Sequence, residues 1–266
     1  AAMKIDAYLA RIGYDGPRTP TADTLRQLHR AHMFAVPFEN LDIPLGNPIT
    51  ISLPAFYAKI VERRRGGFCY ELNGLFGWLL EQLGFRIERL SAGVYGGGQP
   101  GPDFDHLTLL VETGEQGDQL LADVGFGDSF VEPLRLDGTV SAAGTGTLYR
   151  LSGVGSDRVL ERQKPGAAWE PQYAFTLQPH HLDEFAPRCH WTQTSPDSGF
   201  TRKASCSLAT PEGRVTLTGR RLITTRGQAR TEHEVTSLDE YRTLLKTHFG
   251  IDLGPQLETL WNATGL

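Results

Sequence analysis

Three side chains of this sequence have the types that nucleophilic catalysis requires: Cys69, His106 and Asp123. A cysteine nucleophile needs a base that accepts its proton. The base, when it is an imidazole, needs a third group that fixes its tautomer. The sequence therefore contains the parts of a cysteine-based site, provided that the fold brings the three side chains together.

Cys69 lies in the stretch RRRGGFCYELNGLFGWLL, residues 63–80, where an apolar helix is predicted to begin and to end before Gly84. The positive end of a helix dipole stabilises a thiolate and lowers the pKa of the thiol. Gly66 and Gly67 allow the backbone or a ligand to approach closely. A buried structural cysteine is the alternative, because cysteine is among the most buried residue types.

His106 is the best placed candidate for the base. It comes early in the predicted strand FDHLTLLVET, directly after a glycine-rich loop. A strand end beside a loop makes a side chain both positioned and accessible. Other histidines lie on a predicted helix or in a predicted loop: His29, His32, His180 and His181.

Asp123 ends the next predicted strand, DQLLADV, and a carboxylate in such apolar surroundings must be paired or hydrogen-bonded if it is buried. If the two strands are neighbours, Asp123 reaches the ring nitrogen of His106 that faces away from Cys69. The chain order of the three residues is then that of papain-like and transglutaminase-like sites. A turn residue at a strand end is the alternative interpretation of Asp123.

Two further stretches contain residues of interest. In VGFGDS, residues 124–129, the turn amides are able to cradle phosphate oxygens, although a plain turn has the same pattern. In FAVPFENLDIPLG, residues 34–46, Glu39 lies among apolar residues and needs a cationic partner if it is buried. The arginines at 63–65 are the candidate partners, and a solvated loop carboxylate is the alternative.

The order of predicted helices and strands, which must position these residues, indicates an α+β chain in three parts. Residues 1–85 favour helices, which include segments capped by Thr21 and Ser52. Residues 86–196 favour short strands with frequent turns, as in a barrel or sandwich. Residues 197–266 favour strands followed by a helix for which Ser237 and Glu240 form a capping box.

The composition excludes several classes of protein. The 266 residues carry 26 basic and 31 acidic side chains, a net charge of −5, which argues against a nucleic-acid partner. The three cysteines are widely spaced, so neither a disulfide framework nor a metal site is predicted. No apolar stretch reaches the roughly 18 residues of a membrane helix. Because the first residues also lack a signal-peptide core, we expect a cytoplasmic protein.

Five stretches of the sequence resemble the arylamine N-acetyltransferases: VPFENLDI (36–43), RGGFCYELN (65–73), HLTLLV (106–111), DVGFGDS (123–129) and TSPDSGFTRK (194–203). The resemblance covers nearly the whole chain and is to the bacterial type, since the long insertion of the vertebrate enzymes is absent. It implies a helical bundle, a β-barrel-like middle domain and an α/β lid around a cysteine-protease-like Cys-His-Asp core. It also implies acetyl-coenzyme A as co-substrate, with no tightly bound cofactor. The implied acceptors are arylamines, arylhydrazines and N-hydroxyarylamines, acetylated by a ping-pong mechanism through an acetyl-cysteine.

The resemblance also implies roles for individual residues. Cys69, His106 and Asp123 match the catalytic triad. Residues that match the acceptor pocket are Phe38, Val94, Phe126 and Phe200. Glu39 and Arg65 match a pair that holds the catalytic loop, Asn73 a residue that supports it, and Gly127 and Ser129 contacts of coenzyme A. A monomer or homodimer is expected, and a cysteine hydrolase or transglutaminase-like enzyme acting on amides is the alternative function.

Overall fold

The computed structural model describes residues 2–114, 117–143 and 145–264. The outer limits of the predicted first and last parts, residue 1 and residues 265–266, lie outside the described residues. The helices of the described chain are α1 (Ile5–Arg11), α2 (Ala22–Ala35), α3 (Leu53–Tyr57), α4 (Cys69–Gln82), α5 (Ala186–Thr194), α6 (Gly199–Arg202), α7 (Leu238–Phe249) and α8 (Gln256–Ala263). Its strands are β1 (Phe38–Glu39), β2 (Arg86–Val94), β3 (His106–Glu112), β4 (Gln119–Ala122), β5 (Leu134–Arg135), β6 (Ser141–Ala142), β7 (Leu148–Ser152), β8 (Asp157–Gln163), β9 (Glu170–His180), β10 (Ser205–Thr210), β11 (Gly213–Thr218), β12 (Arg221–Arg226) and β13 (Ala229–Glu234).

The helices before residue 85 begin at the predicted caps. The Thr21 side chain accepts a hydrogen bond from the amide of Thr24, and Ser52 caps α3 in the same way. After α3, however, the helix widens into a π-helical turn, Ala58–Glu62, which the sequence pattern did not predict. Such turns are frequent at functional sites, and this one leads directly into the loop before α4.

The middle of the chain forms one antiparallel sheet in the order β5-β4-β3-β2-β9-β8-β7-β6. Its first edge strand, β5, lies near β7, so that the sheet curls into a nearly closed barrel. The predicted strands of this region are confirmed, and β3 is buried on both faces. One face of β3 packs on the helices and the other faces the barrel interior, which explains its continuous apolar sequence.

The last part of the chain contributes a second antiparallel sheet in the order β1-β10-β11-β12-β13. Strand β1 comes from the first part of the sequence and pairs Phe38 with Ser207 and Glu39 with Cys206. The predicted helix after Ser237 is confirmed as α7, although the Glu240 carboxylate accepts from the amide of Thr236 instead of closing the capping box. The sequence pattern did not predict β13, α5 or α6.

The described chain has a separate hydrophobic core in each part, and a smaller cluster lies between them. The small cluster contains Phe68, Cys69, Tyr70 and Leu107, with Phe185 and Cys189 from the segment before the last part. The end of α4 that carries Cys69 therefore lies where helices, barrel and lid meet. Among the described residues, every helix is too short or too polar to span a lipid bilayer.

Candidate active site

Cys69 is the first residue of α4, and its side chain is buried at 5% exposure. The Glu71 carboxylate accepts a hydrogen bond of 3.1 Å from the amide of Phe68, which holds the beginning of the helix. Lys59, from the π-helical turn, donates to the other oxygen of Glu71 at 2.8 Å. The thiol thus lies at the positive end of the α4 dipole. The hydrogen bond within the first turn of α4 holds this end of the helix in place.

His106 and Asp123 form a buried pair in which His106 Nε2 lies 2.6 Å from Asp123 Oδ2. The register of β3 and β4 pairs Leu109 with Ala122, so Asp123, one residue beyond β4, lies beside the beginning of β3. The imidazole and the thiol of Cys69 line the same cavity, and each affects the ionisation of the other. Since Nε2 is engaged by Asp123, Nδ1 is the ring nitrogen available to the thiol. The structure therefore brings the three predicted catalytic side chains together.

The carboxylate of Asp123 accepts hydrogen bonds from four donors. Besides His106, they are the Tyr173 hydroxyl at 2.8 Å, Asn73 Nδ2 at 2.8 Å and the Gly125 amide at 3.0 Å. Hydrogen bonds to a carboxylate stabilise its charged form. Tyr173 lies on β9, and the sequence pattern of that segment predicted a strand without indicating a contact with Asp123, which is distant in the chain.

The pKa values of the site favour a protonated imidazole. Burial disfavours the imidazolium of His106, but the negative charge and hydrogen bond of Asp123 outweigh it and raise its pKa to about 10. Burial likewise opposes ionisation of Asp123, yet the His106 charge and the Asn73 hydrogen bond lower its pKa. Burial raises the pKa of the Cys69 thiol, and the neighbouring charge of His106 opposes this rise. The thiol is therefore best deprotonated as one partner of an ion pair with His106.

Residues 123–131, which we call the catalytic turn, contact α4 very closely. Asn73 accepts from the amide of Val124 at 2.9 Å, and it donates to the carbonyl of Leu107 on β3 at 2.7 Å. A Cβ atom on Gly125 would lie 2.9 Å from the Cα atom of Cys69. Asn73 thus links the helix that carries Cys69, the strand that begins with His106 and the turn that begins with Asp123.

The predicted partner of Glu39 is Arg65, which contacts both carboxylate oxygens, at 2.8 and 3.0 Å. The Glu39 carboxylate also accepts from the amides of Gly66 and Leu41. Arg65 and Lys59 share Asp42, at 3.2 and 2.8 Å. These bonds tie β1, the π-helical turn and the loop before Cys69 into one buried ionic network.

A cavity of about 490 Å³ leads from the surface to Cys69 and His106. Its walls include the four residues predicted for the acceptor pocket, Phe38, Val94, Phe126 and Phe200. Arg188 and Trp191 of α5, a helix that the sequence pattern did not predict, also line the cavity. The guanidinium of Arg188 stacks 3.8 Å from the Trp191 ring and binds Asp105 at 2.7 Å.

A second cleft, of about 730 Å³, adjoins the first and shares Phe38 and Phe126 with it. Gly127, at a φ of +86°, lies on its wall, and cationic side chains on the same wall are Lys164, Arg214 and Arg230. Ser129 is separate: it lines a recess of about 90 Å³ beside Arg214. Its hydroxyl is buried and has no hydrogen-bond partner among the described residues.

Known proteins resemble this chain over nearly its full length. The N-acetyltransferase family model matches residues 21–257. The arylamine N-acetyltransferase of Mycolicibacterium smegmatis is 39% identical over 259 residues, which cover 95% of this chain and 94% of that protein. Among solved structures, the Mycobacterium marinum arylamine N-acetyltransferase in complex with CoA has a TM-score of 0.89 and 32% identity, covering 98% of each chain. The arylamine N-acetyltransferase from Salmonella typhimurium has a TM-score of 0.90 and 30% identity, covering 99% of each chain.

Proposed function

This chain belongs to the arylamine N-acetyltransferase family, and we propose that it transfers an acetyl group from acetyl-coenzyme A to the nitrogen of arylamines, arylhydrazines or N-hydroxyarylamines. One observation carries the proposal: Cys69, at the start of α4, and the hydrogen-bonded pair of His106 and Asp123 meet in a cavity lined by aromatic rings. The M. marinum relative was solved with CoA, which supports acetyl-coenzyme A as the co-substrate here.

The first half-reaction forms an acetyl-cysteine. The thiolate of Cys69 attacks the acetyl carbonyl, and backbone amides near Cys69 stabilise the negative charge that develops on its oxygen. The bond between the carbonyl carbon and the sulfur of coenzyme A then breaks. The leaving thiolate takes the proton of the His106 imidazolium, so coenzyme A departs as a thiol while Asp123 stays ionised.

The second half-reaction transfers the acetyl group to the acceptor. The amine nitrogen attacks the carbonyl of the acetyl-cysteine, and neutral His106 accepts the proton that the nitrogen loses. The bond between the carbonyl carbon and Cys69 Sγ breaks, which releases the amide and restores the thiolate beside the imidazolium. Because each substrate reacts with a different enzyme form, the kinetics are ping-pong.

The two clefts suggest separate routes for donor and acceptor. We place the aromatic acceptor against Phe38, Val94, Phe126 and Phe200, because apolar walls favour a flat ring and limit access of water to the thioester. We place the coenzyme A phosphates in the adjoining cleft, where Gly127 and three cationic side chains lie. A contact with Ser129 requires that part of the donor enters the small recess beside Arg214.

Three further residues, the cellular location and the oligomeric state complete the proposed function. Glu39, Arg65 and Asn73 act by holding the loop before Cys69 and the catalytic turn, which their hydrogen bonds support. A cytoplasmic location is supported by three unpaired cysteines in a chain of this size. The monomeric or homodimeric state stays a prediction.

Mass spectrometry of the protein mixed with acetyl-coenzyme A tests the mechanism. We expect one added acetyl group, located on Cys69 by peptide mapping and removed when an arylamine such as aniline is added. Cys69→Ala should abolish both the adduct and turnover, whereas Cys206→Ala, which alters a buried cysteine away from the cavity, should keep both. Full turnover by Cys69→Ala, or amide hydrolysis with no dependence on acetyl-coenzyme A, would contradict the proposal.

A further inference from the structure

His29, on α2, contacts both ends of the catalytic turn. Its Nε2 accepts a hydrogen bond of 3.1 Å from the amide of Asp123, where the turn begins. Its Nδ1 lies 2.8 Å from the carbonyl oxygen of Val131, where the turn ends. The imidazole also stacks on Phe130, with ring centroids 5.6 Å apart and planes within 15° of parallel. One buried side chain therefore connects the two ends of the segment that carries the Asp123 carboxylate.

The two hydrogen bonds determine the tautomer of His29. An amide nitrogen only donates, so Nε2 of the imidazole must be unprotonated and accept. The carbonyl of Val131 only accepts, so Nδ1 must carry the proton. Burial lowers the pKa of His29 to about 4, against the opposing effect of its contacts with Val131 and Asp123. The ring is therefore neutral at physiological pH, and both of its nitrogens are satisfied.

We infer that His29 is a positioning residue of the transfer reaction, which holds the backbone of Asp123 so that its carboxylate stays aligned with His106. This role rests on the function proposed above. His29 does not line the cavity that reaches Cys69. It acts through the backbone, because the orientation of a carboxylate follows the position of the chain that bears it. A displacement of about 1 Å at such a site is sufficient to cost 100-fold in rate.

His32 provides a matched comparison within the same helix. It is also completely buried and also contacts the ring of Phe76. Its Nε2 hydrogen-bonds the hydroxyl of Tyr8 at 3.0 Å, on α1 and away from the catalytic turn. Removing His32 thus perturbs the helix packing to a similar extent but leaves the turn connected.

The test follows the rate at which iodoacetamide alkylates Cys69 between pH 5 and 10, together with kcat for acetyl transfer. His29→Leu removes both hydrogen bonds, and we expect alkylation at pH 7 and kcat to fall about 10-fold, as expected for the loss of one to two neutral hydrogen bonds. The inflection of the alkylation profile should move to higher pH, because burial raises the pKa of the Cys69 thiol once the imidazolium no longer opposes it. His32→Leu should keep the wild-type profile.

Two polar substitutions of His29 test its hydrogen bonds to the two ends of the turn one at a time. They remain informative if His29→Leu does not fold. His29→Gln places an amide near the position of Nε2 and keeps the bond to the Asp123 amide. His29→Asn places an amide near Nδ1 and keeps only the bond to Val131. We expect His29→Gln to retain the wild-type alkylation profile and His29→Asn to lose it.

The outcomes distinguish failure of the inference from failure of the proposed function. If wild-type Cys69 already alkylates like a free thiol, the ion pair with His106 is absent and the proposed function fails. If the wild-type profile is shifted but folded His29→Asn matches it in profile and kcat, the positioning role is overturned. Equal losses in His32→Leu and the His29 variants would also overturn it, because they would reflect helix packing alone.

Discussion

Gly125 shows, at the scale of single residues, how little space separates the catalytic turn from Cys69. The sequence suggested a flexible turn or a phosphate cradle for VGFGDS. In the structure, the backbone of Gly125 packs directly on α4, and a Cβ atom there would lie 2.8 Å from Asn73 Nδ2 and 3.1 Å from the carbonyl oxygen of Cys69. These neighbours are held by hydrogen bonds and by the helix, so the turn would have to move instead.

Gly125→Ala should therefore uncouple Asp123 from His106. We expect kcat for arylamine acetylation to fall about 100-fold or more, because the displaced turn carries the orienting carboxylate. Steady-state kinetics with acetyl-coenzyme A and an arylamine measure the effect. Gly199→Ala is the matched control, since Gly199 lines the same cavity but a Cβ atom there meets nothing within 4 Å. Similar activity in both variants would refute the close-packing argument.

At the scale of elements, α5 lines the cavity although sequence patterns did not predict this helix. It has only nine residues, of which Cys189 and Thr192 are buried, so its sequence carries a weak helical pattern. Tertiary contacts hold it in place, among them the hydrogen bond of Arg188 to Asp105, just before β3, and that of Gln193 to Ile49. Trp191, which is 37% exposed, then lies at the mouth of the cavity.

Removing the Trp191 ring should weaken binding of the acceptor without affecting the donor half-reaction. For Trp191→Ala we expect KM for an arylamine to rise about 5-fold, the loss of one aromatic contact of roughly 1 kcal/mol. The rate of Cys69 acetylation by acetyl-coenzyme A alone should be unchanged, as measured by rapid-quench mass spectrometry. Trp169→Ala should leave both values at wild type, since Trp169 also stacks on an arginine but does not line the cavity. An unchanged KM in Trp191→Ala would remove α5 from acceptor binding.

At the scale of the whole molecule, the site depends on packing between segments that are far apart in the chain. Strand β1 carries Phe38 and Glu39 from the helical part into the sheet of the last part. Helix α2 packs two completely buried histidines, His29 and His32, against the remaining core. Burial and the charge of Arg11 lower the pKa of His32 well below its ordinary value. Folding therefore keeps this imidazole neutral at a pH where the unfolded chain is protonated.

The free energy of unfolding should depend on pH because His32 is buried as a neutral imidazole. Between pH 7 and pH 5 the unfolded chain binds a proton at His32 that the folded chain does not bind, so stability falls as pH falls. With an unfolded pKa of about 6.5, the loss is about 2 kcal/mol. Reversible urea unfolding at both pH values should therefore show a smaller loss, by about that amount, in His32→Leu than in wild type. His190→Leu, at an exposed position, should not change the difference, and equal losses in all three proteins would contradict the assignment.

The sequence by itself determined the local features: the helix start at Cys69, the strands that carry His106 and Asp123, and the α+β order of the chain. These depend on periodicity and capping over a few residues, which short-range physics decides. Only the tertiary structure decided which groups complete the site, such as Tyr173 on the Asp123 carboxylate, Lys59 on Glu71, and α5 at the cavity mouth. Each of these contacts joins segments brought together by burial and strand register, and no local pattern encodes such a pairing.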